Sequence, residues 1–230
     1  MEHACGAERA PSPSGDVAGA PESQLAAGDV ARLPASTPGP PWRCRLEAVI
    51  WWHRAPAAMV ADLPPELGAR YGRALVLGAL VRYLDTPVGP YEEIIGAVQL
   101  RPLTIHIPFI AVDSLASVHG GRTHWALPKA LATFSHTDGQ LLAAGTGWRV
   151  TARARPAGPW LPMAGWLCGR QLDAAGQLRR STTTVLGRTR LGRVTVQVDS
   201  DQAGKPGSIA GWLRPGRHRG LVLHARARLA

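Results

Sequence analysis

Residues 73–100 read RALVLGALVRYLDTPVGPYEEIIGAVQL. Two apolar, branched runs, Arg73–Tyr83 and Tyr91–Leu100, flank DTPVGP, whose Thr, Pro and Gly content marks a turn, so the stretch predicts a β-hairpin. Side chains alternate across a strand, which puts Tyr91, Glu93 and Ile95 on one face and Glu92 and Ile94 on the other. If Glu93 points inward, Glu92 points to solvent. A carboxylate turned into a core needs a partner; a structural ion pair with a neighbouring arginine and a functional role are both open for Glu93.

Working outward, the same period of two recurs. Arg45–Trp52 (RLEAVIWW) and Thr104–Val112 read as strands on either side of the hairpin. Trp148–Arg155 alternates cleanly, with Trp148, Val150, Ala152 and Ala154 against Arg149, Thr151, Arg153 and Arg155. Arg193–Val198 and the terminal LVLHARARL, residues 221–229, alternate in the same way. Pro56–Leu67 predicts a short helix stopped by Pro64-Pro65. Many half-buried strands with dense Gly and Pro punctuation predict a mainly β fold, an antiparallel sheet that is closed or strongly curled with a few short helices.

Residues 1–41 are rich in Ala, Pro, Gly and Ser, hold few aliphatic anchors and end in STPGPP, so they predict a disordered tail ahead of a folded domain over 42–230. The chain of 230 residues fits one such domain. Its net charge of +10 permits acidic small molecules or nucleic acid as partners, but arginine is spread almost everywhere, so charge alone argues weakly for nucleic acid. Arg149, Arg153, Arg155, Arg226 and Arg228 fit a solvated sheet face as well as a phosphate contact. Cys5, Cys44 and Cys168 are scattered and lack zinc-ligand spacing, which predicts neither disulfides nor a metal site. No apolar run approaches membrane-spanning length and the first residues lack a secretory apolar segment. A cytoplasmic, soluble protein is the expectation; a homo-oligomer is left open.

The chain has two lysines, Lys129 and Lys205, among 26 basic residues. Lys129 sits in GGRTHWALPKALATF (residues 120–134), flanked by apolar side chains on both sides. Burial favours the neutral form of a lysine, whereas arginine stays protonated. A neutral amine condenses with ketones and aldehydes to give a Schiff base. A surface lysine whose stem covers apolar neighbours accounts for the same pattern, and by residue chemistry alone is the commoner case.

VGPYEEIIGA (residues 88–97) and GGRTHWALPKALATF, in this order and separation, together resemble the acetoacetate decarboxylase superfamily, whose members carry a G-P-Y-x-E strand followed by G-R-E-x-x-x-x-P-K-K-L. The resemblance implies a cone-like antiparallel β-barrel, no cofactor or metal, and a lysine imine as the working intermediate on a keto acid or related carbonyl compound. It implies that Lys129 forms the imine and that Glu93 places substrate and manages protons. Tyr91, Arg122 and Trp125 lie in the matching motifs as substrate-binding candidates; Arg122 would hold a loop before the lysine. The family's first-strand arginine falls near His53-Arg54, either of which would inherit substrate binding. The chain departs from the pattern at Ala130, where the family has a second lysine, at Thr123, where it has a glutamate, and at Gly78, where an ungapped count puts a second acid. The imine leads to decarboxylation, aldol or dehydration chemistry within the family, and the altered site leaves a non-catalytic ligand-binding barrel as the alternative.

Eight tryptophans, among them Trp51, Trp52 and Trp125, fit core packing better than a cavity wall. His106 and His119 read as strand or loop histidines.

Overall fold

Strands form where the alternation predicts them, and the first six pieces set the frame. In the computed structural model, which describes residues 17, 19–55, 57–69, 74–205 and 207–230, β1 (Trp42–Arg54) pairs with β2 (Leu75–Asp85). β2 makes the expected hairpin with β3 (Tyr91–Arg101), which continues into β4 (Thr104–Val112). Two short helices precede them: α1 (Ala27–Val30) lies before β1, and α2 (Ala57–Ala61) lies between β1 and β2. The expected helix over Pro56–Leu67 is α2 followed by a separate turn, Pro65–Leu67, because a Pro-Pro pair cannot continue a helical ladder. Pro56 and Arg73 lie outside the described residues.

After β4 come α3 (Leu115–Trp125) and the three-residue β5 (Lys129–Leu131), parallel to β4. A hairpin of β6 (Thr133–Thr137) and β7 (Gln140–Gly145) leads to β8 (Trp148–Pro156). Next are β9 (Leu161–Leu172) and the long β10 (Leu178–Ser200). α4 (Ile209–Leu213) and β11 (Gly216–Leu229) complete the chain. β10 pairs β9 through its first half and β8 through its second, while β11 lies along its other edge. Pairing runs β11-β1-β2-β3-β4-β9-β10 and returns to β11, so the sheet closes on itself. This is the mainly β, curled antiparallel barrel that the sequence predicts, with parallel pairing at β4–β5 and β4–β9.

The shared strands carry a core on each face. On one face Trp51, Val76, Leu80, Ile94, Val98 and Phe109 pack with Trp148, Val150, Val194 and Leu213. On the other, Leu46, Ala48, Val81, Tyr83, Tyr91, Val112 and Trp125 pack with Leu223 and Ala225. Gly78 lies under the indole of Trp51, where a Cβ would collide with the ring. Its position therefore belongs to the first core, and an acid there would not reach the second.

Part of the segment expected to be disordered packs on the barrel, which corrects the predicted boundary at residue 42. The Ala20 amide donates to the Pro108 carbonyl at 2.7 Å, and the Trp42 indole donates to the Pro38 carbonyl at 2.8 Å. Glu22 is buried and accepts from Ser200 Oγ at 2.7 Å and from the Ile209 amide at 3.3 Å. Aliphatic content underestimates such a segment, because a few apolar side chains, Ala20, Leu25 and Leu33, pack on the two cores while backbone and carboxylate contacts add to the attachment. Residues 1–16 and 18 lie outside the described residues.

Candidate active site

Ser114 caps α3, its side chain accepting from the Ser117 amide at 3.2 Å. The helix ends at Ala126, in the left-handed region (φ 53°), with the Ala126 and Leu127 amides donating back to the Arg122 and Gly121 carbonyls. The left-handed Ala126 with its 5→1 bond to Arg122 is an αL stop, and Pro128 follows it, so the chain turns out of the helix and Lys129 enters β5 beside Ile110. The sequence reading takes GGRTHW as a loop; its helix lacks an apolar stripe because it is buried on most sides, including Val118, His119, Gly120, Gly121 and Arg122.

Lys129 is only 3% exposed and Glu93 only 2%, which excludes a surface lysine for this residue. Lys129 Nζ donates to Glu93 Oε2 at 2.6 Å and to Ser117 Oγ at 2.8 Å. It also lies over the Tyr91 ring, 5.1 Å from the centroid. Tyr83 Oη donates to the other carboxylate oxygen, Oε1, at 3.1 Å and stacks on Tyr91 with centroids 4.5 Å apart. Burial, and then the Glu93 charge, holds both phenols well above the usual tyrosine range. The same two causes push the Cys44 thiol up to about 12, although Lys129 pulls it the other way. The remaining wall is apolar: Leu46, Ala48, Val81, Leu223 and Ala225 share this core.

Parity along β3 therefore places Glu93 as expected. Glu92 faces the other way, half-buried, with Oε1 2.6 Å from His136 Nε2. Ala130 faces the first core, opposite to Lys129. Two members of the cluster, Ser117 and Tyr83, do not appear among the sequence candidates. Tyr83 shares its face with Val81, which pairs with Glu93, so strand parity carries that signal; Ser117 is one helical turn before Gly121, a signal legible only once α3 is recognised as a helix.

The other candidates separate from the amine. Arg122 is buried and its Nε donates to the Lys129 carbonyl at 2.8 Å, while Nη2 donates to the Ser23 carbonyl at 3.0 Å. It holds the lysine backbone, and does so from a helix. Trp125 packs edge-on against Trp42 at 5.0 Å, a core contact. His53 lies on the opposite face of β1 from Ala48, its ring nitrogens 3.2 Å from the Arg54 carbonyl and 3.1 Å from that of Trp212. Arg54 has the same parity as Ala48 but is exposed and six residues further along, roughly 20 Å. Neither first-strand candidate joins the Lys129–Glu93 cluster; the motif's position near the strand end gave a neighbourhood but not a face.

Burial lowers the pKa of His53 and of His106. Both are then neutral in the fold while the unfolded chain binds a proton below about pH 6.5. Their contribution to stability is full above that value and is lost as pH falls through the depressed folded values. Unfolding midpoints should fall between pH 7 and pH 5, and the double variant His53→Gln/His106→Gln should show a shallower slope in a thermal melt series.

Gly121 also fixes the lysine. A Cβ there would sit 2.5 Å from Lys129 Cδ and 2.8 Å from Cε. The colliding atoms belong to a flexible stem, so Gly121→Ala should displace the amine more than it unfolds the helix. We expect less than about 1.5 kcal/mol loss of stability by urea titration, alongside a tenfold or greater drop in the rate of reductive trapping at Lys129.

A closed, curled β-barrel with a lysine–glutamate pair enclosed among tyrosines and aliphatic side chains defines a class of proteins built around one buried amine. The family model for acetoacetate decarboxylase (ADC) matches residues 32–159, more than half of the chain, and the chain belongs to that family. Solved structures agree in fold. The acetoacetate decarboxylase of Legionella pneumophila superposes with a TM-score of 0.53 at 18% identity, covering 85% of this chain and 87% of that one. A second acetoacetate decarboxylase structure gives 0.58 at 15% identity over 89% and 96%. The enduracididine biosynthesis enzyme MppR, complexed with pyruvate, gives 0.51 at 16% identity over 85% and 90%. Among curated proteins, NEOXANTHIN-DEFICIENT 1 of Oryza sativa subsp. japonica is 33% identical over 111 residues, 45% of this chain. The match spans only 37% of the rice protein's length. No helix among the described residues is long and apolar enough to cross a membrane.

Proposed function

We propose that this chain is a cofactor-free Schiff-base lyase acting on a keto acid or related carbonyl compound with an apolar body, with Lys129 as nucleophile and Glu93 as proton carrier. The observation supporting it is the enclosed contact of 2.6 Å between the amine and the carboxylate, inside an apolar barrel. Lysine nucleophiles are activated by desolvation or by a neighbouring cation, and acetoacetate decarboxylase is the usual illustration of this pattern. In this chain Ala130 supplies no cation, and the group against the amine is a carboxylate able to take its proton.

The steps follow from that pair. Glu93 accepts a proton from Lys129, and the amine attacks the substrate carbonyl, forming the Nζ–C bond as the C–O π bond opens. The oxygen takes one proton from the attacking nitrogen and a second from Glu93 and leaves as water, giving an iminium and the Glu93 carboxylate. When the carbon–carboxylate bond breaks, its electron pair moves into a carbon–carbon double bond while the iminium π pair moves onto nitrogen. Carbon dioxide leaves and an enamine remains. The apolar wall favours a step in which the substrate carboxylate loses its charge. Glu93, having given up its first proton to the departing water, takes a second from solvent and delivers it to the enamine carbon, and water then hydrolyses the new iminium to release product and amine. With an aldehyde acceptor, the enamine carbon forms a new carbon–carbon bond instead of taking the proton. Tyr83 holds the second carboxylate oxygen and Ser117 the amine, so both stay aligned through the cycle.

Reductive trapping tests the reading, because the second lysine is an internal control. Borohydride is added with a panel of β-keto acids and short aldehydes, and the adduct is mapped by peptide mass. The expected adduct is on Lys129; modification of exposed Lys205 alone would refute the mechanism. A second reading, ligand binding without turnover, is favoured by the closed contacts of Lys129 with Glu93 and Ser117. It predicts the Lys129 adduct without released product.

A further inference from the structure

Away from Lys129, β8, β10, β11 and β1 bring four side chains into one cross-strand row. Arg193 pairs with Arg155 on β8 and with Arg219 on β11, and Arg219 pairs with Trp52 on β1. Arg217, opposite Thr195, stands in the next row of the same face. These residues, with Leu191, line an open cleft of about 740 Å³. All four arginines are exposed and Trp52 is half-buried.

Three guanidinium groups opposite one another are an electrostatic cost, since like charges directly across a sheet repel. A sheet face normally offsets such a row with acids. Among the described residues no carboxylate lines the cleft, and none of them forms an ion pair with any of the four arginines. The arginine-rich surface around Arg43, Arg45, Arg226 and Arg228 differs on this point, because Asp85 lies among them. The cleft lined by Arg101, Arg170 and Arg180 also has no carboxylate among its described residues, so what sets this one apart is the aromatic end beside an uncompensated arginine row. Adjacent strands are about 4.8 Å apart, so the backbone positions of the three arginines span about 10 Å, a length that suits neighbouring phosphates better than one carboxylate. Trp52 closes the row with a flat apolar surface on which a ring can stack.

We propose that this cleft binds a small polyphosphate compound bearing an aromatic ring, a nucleoside di- or triphosphate in class, with phosphates on Arg155, Arg193, Arg217 and Arg219 and the ring against Trp52. The site is separate from the imine chemistry and does not depend on it. The compact, four-strand extent of the cleft favours a small molecule over a polymer, whose phosphates need a continuous track.

Titration calorimetry with ATP, inorganic pyrophosphate and a single-stranded oligothymidylate tests this at fixed salt. ATP is expected to bind one per chain, weakening about tenfold or more in Arg193→Ala and in Arg219→Ala. Trp52→Leu should weaken ATP several-fold and leave pyrophosphate unchanged, and the control Arg226→Ala should bind ATP as the parent does. The exposed arginine variants are expected to fold, which their melting temperatures check. The proposal is overturned if ATP shows no saturable binding, if Arg226→Ala weakens it as much as Arg193→Ala, or if the oligonucleotide binds and ATP does not compete.

Discussion

Lys129→Met is expected to return carbonyl turnover to the uncatalysed level, abolish the borohydride adduct at that peptide, and destabilise the fold by about 3–5 kcal/mol. The two effects have separate causes. Methionine keeps the stem's volume and apolar contacts, so packing is nearly conserved. What it removes is the ammonium partner of a carboxylate that is 2% exposed, leaving Glu93 with Tyr83 as its hydrogen-bond donor. An unpaired buried charge is far costlier than a lost surface pair, which is worth about 1 kcal/mol at most. The double variant Lys129→Met/Glu93→Leu separates the costs: removing both charges is expected to recover most of the loss, and to match or exceed parent stability. Urea unfolding of the parent, both single variants and the double gives the coupling. If the double variant is instead the least stable of the four, the pair serves the fold and its retention needs no chemistry.

That cycle also shows which parts of the site could be read from the chain. Glu93 and its facing were legible because strand parity is local: once 91–100 is a strand, Tyr91 and Glu93 share a side and Glu92 does not. Lys129 stood out by its rarity and apolar flanks, but those fit a surface lysine better; the paired motifs around residues 88–97 and 120–134 singled it out, and DTPVGP marked the hairpin. His53 and Arg54 were not, because their roles depend on register across β1, β2 and β3, where Ala48, Val81 and Glu93 fall in one row. Such alignment between strands is set by the whole sheet and leaves no mark in either strand alone. The helix around Gly120 and Gly121 was hidden by a different cause. Its glycines lower helix propensity, yet they are required by tertiary contact: a Cβ at Gly120 would lie 2.6 Å from the Trp42 ring, as one at Gly121 would strike the lysine stem. Packing overrides propensity there, and the same override produced the ordered contacts of residues 19–41.

Glu93→Gln is the sharper test of chemistry, since it changes proton handling while keeping shape. The amide oxygen can still accept from Lys129 or Tyr83, so the cluster need not collapse. It cannot accept the ammonium proton, nor return one to the enamine carbon. General acid–base assistance of this kind is worth about 10²–10⁴-fold. Turnover of a β-keto acid should fall by that factor. Imine formation, given time at high pH, should persist because the nucleophile is intact. Deuterium provides the discriminating measurement. In D₂O the parent should place deuterium on the carbon that carried the carboxylate, delivered through Glu93, and the Gln variant should exchange that position about 10²–10⁴ times more slowly while still giving the borohydride adduct on Lys129. Loss of adduct and exchange together would make the first step, in which Glu93 frees the amine, the one that the variant cannot carry out. Unchanged exchange would remove it from the proton path and leave Tyr83, Tyr91 and the Cys44 thiol, all held protonated by burial, as proton donors beside the pair.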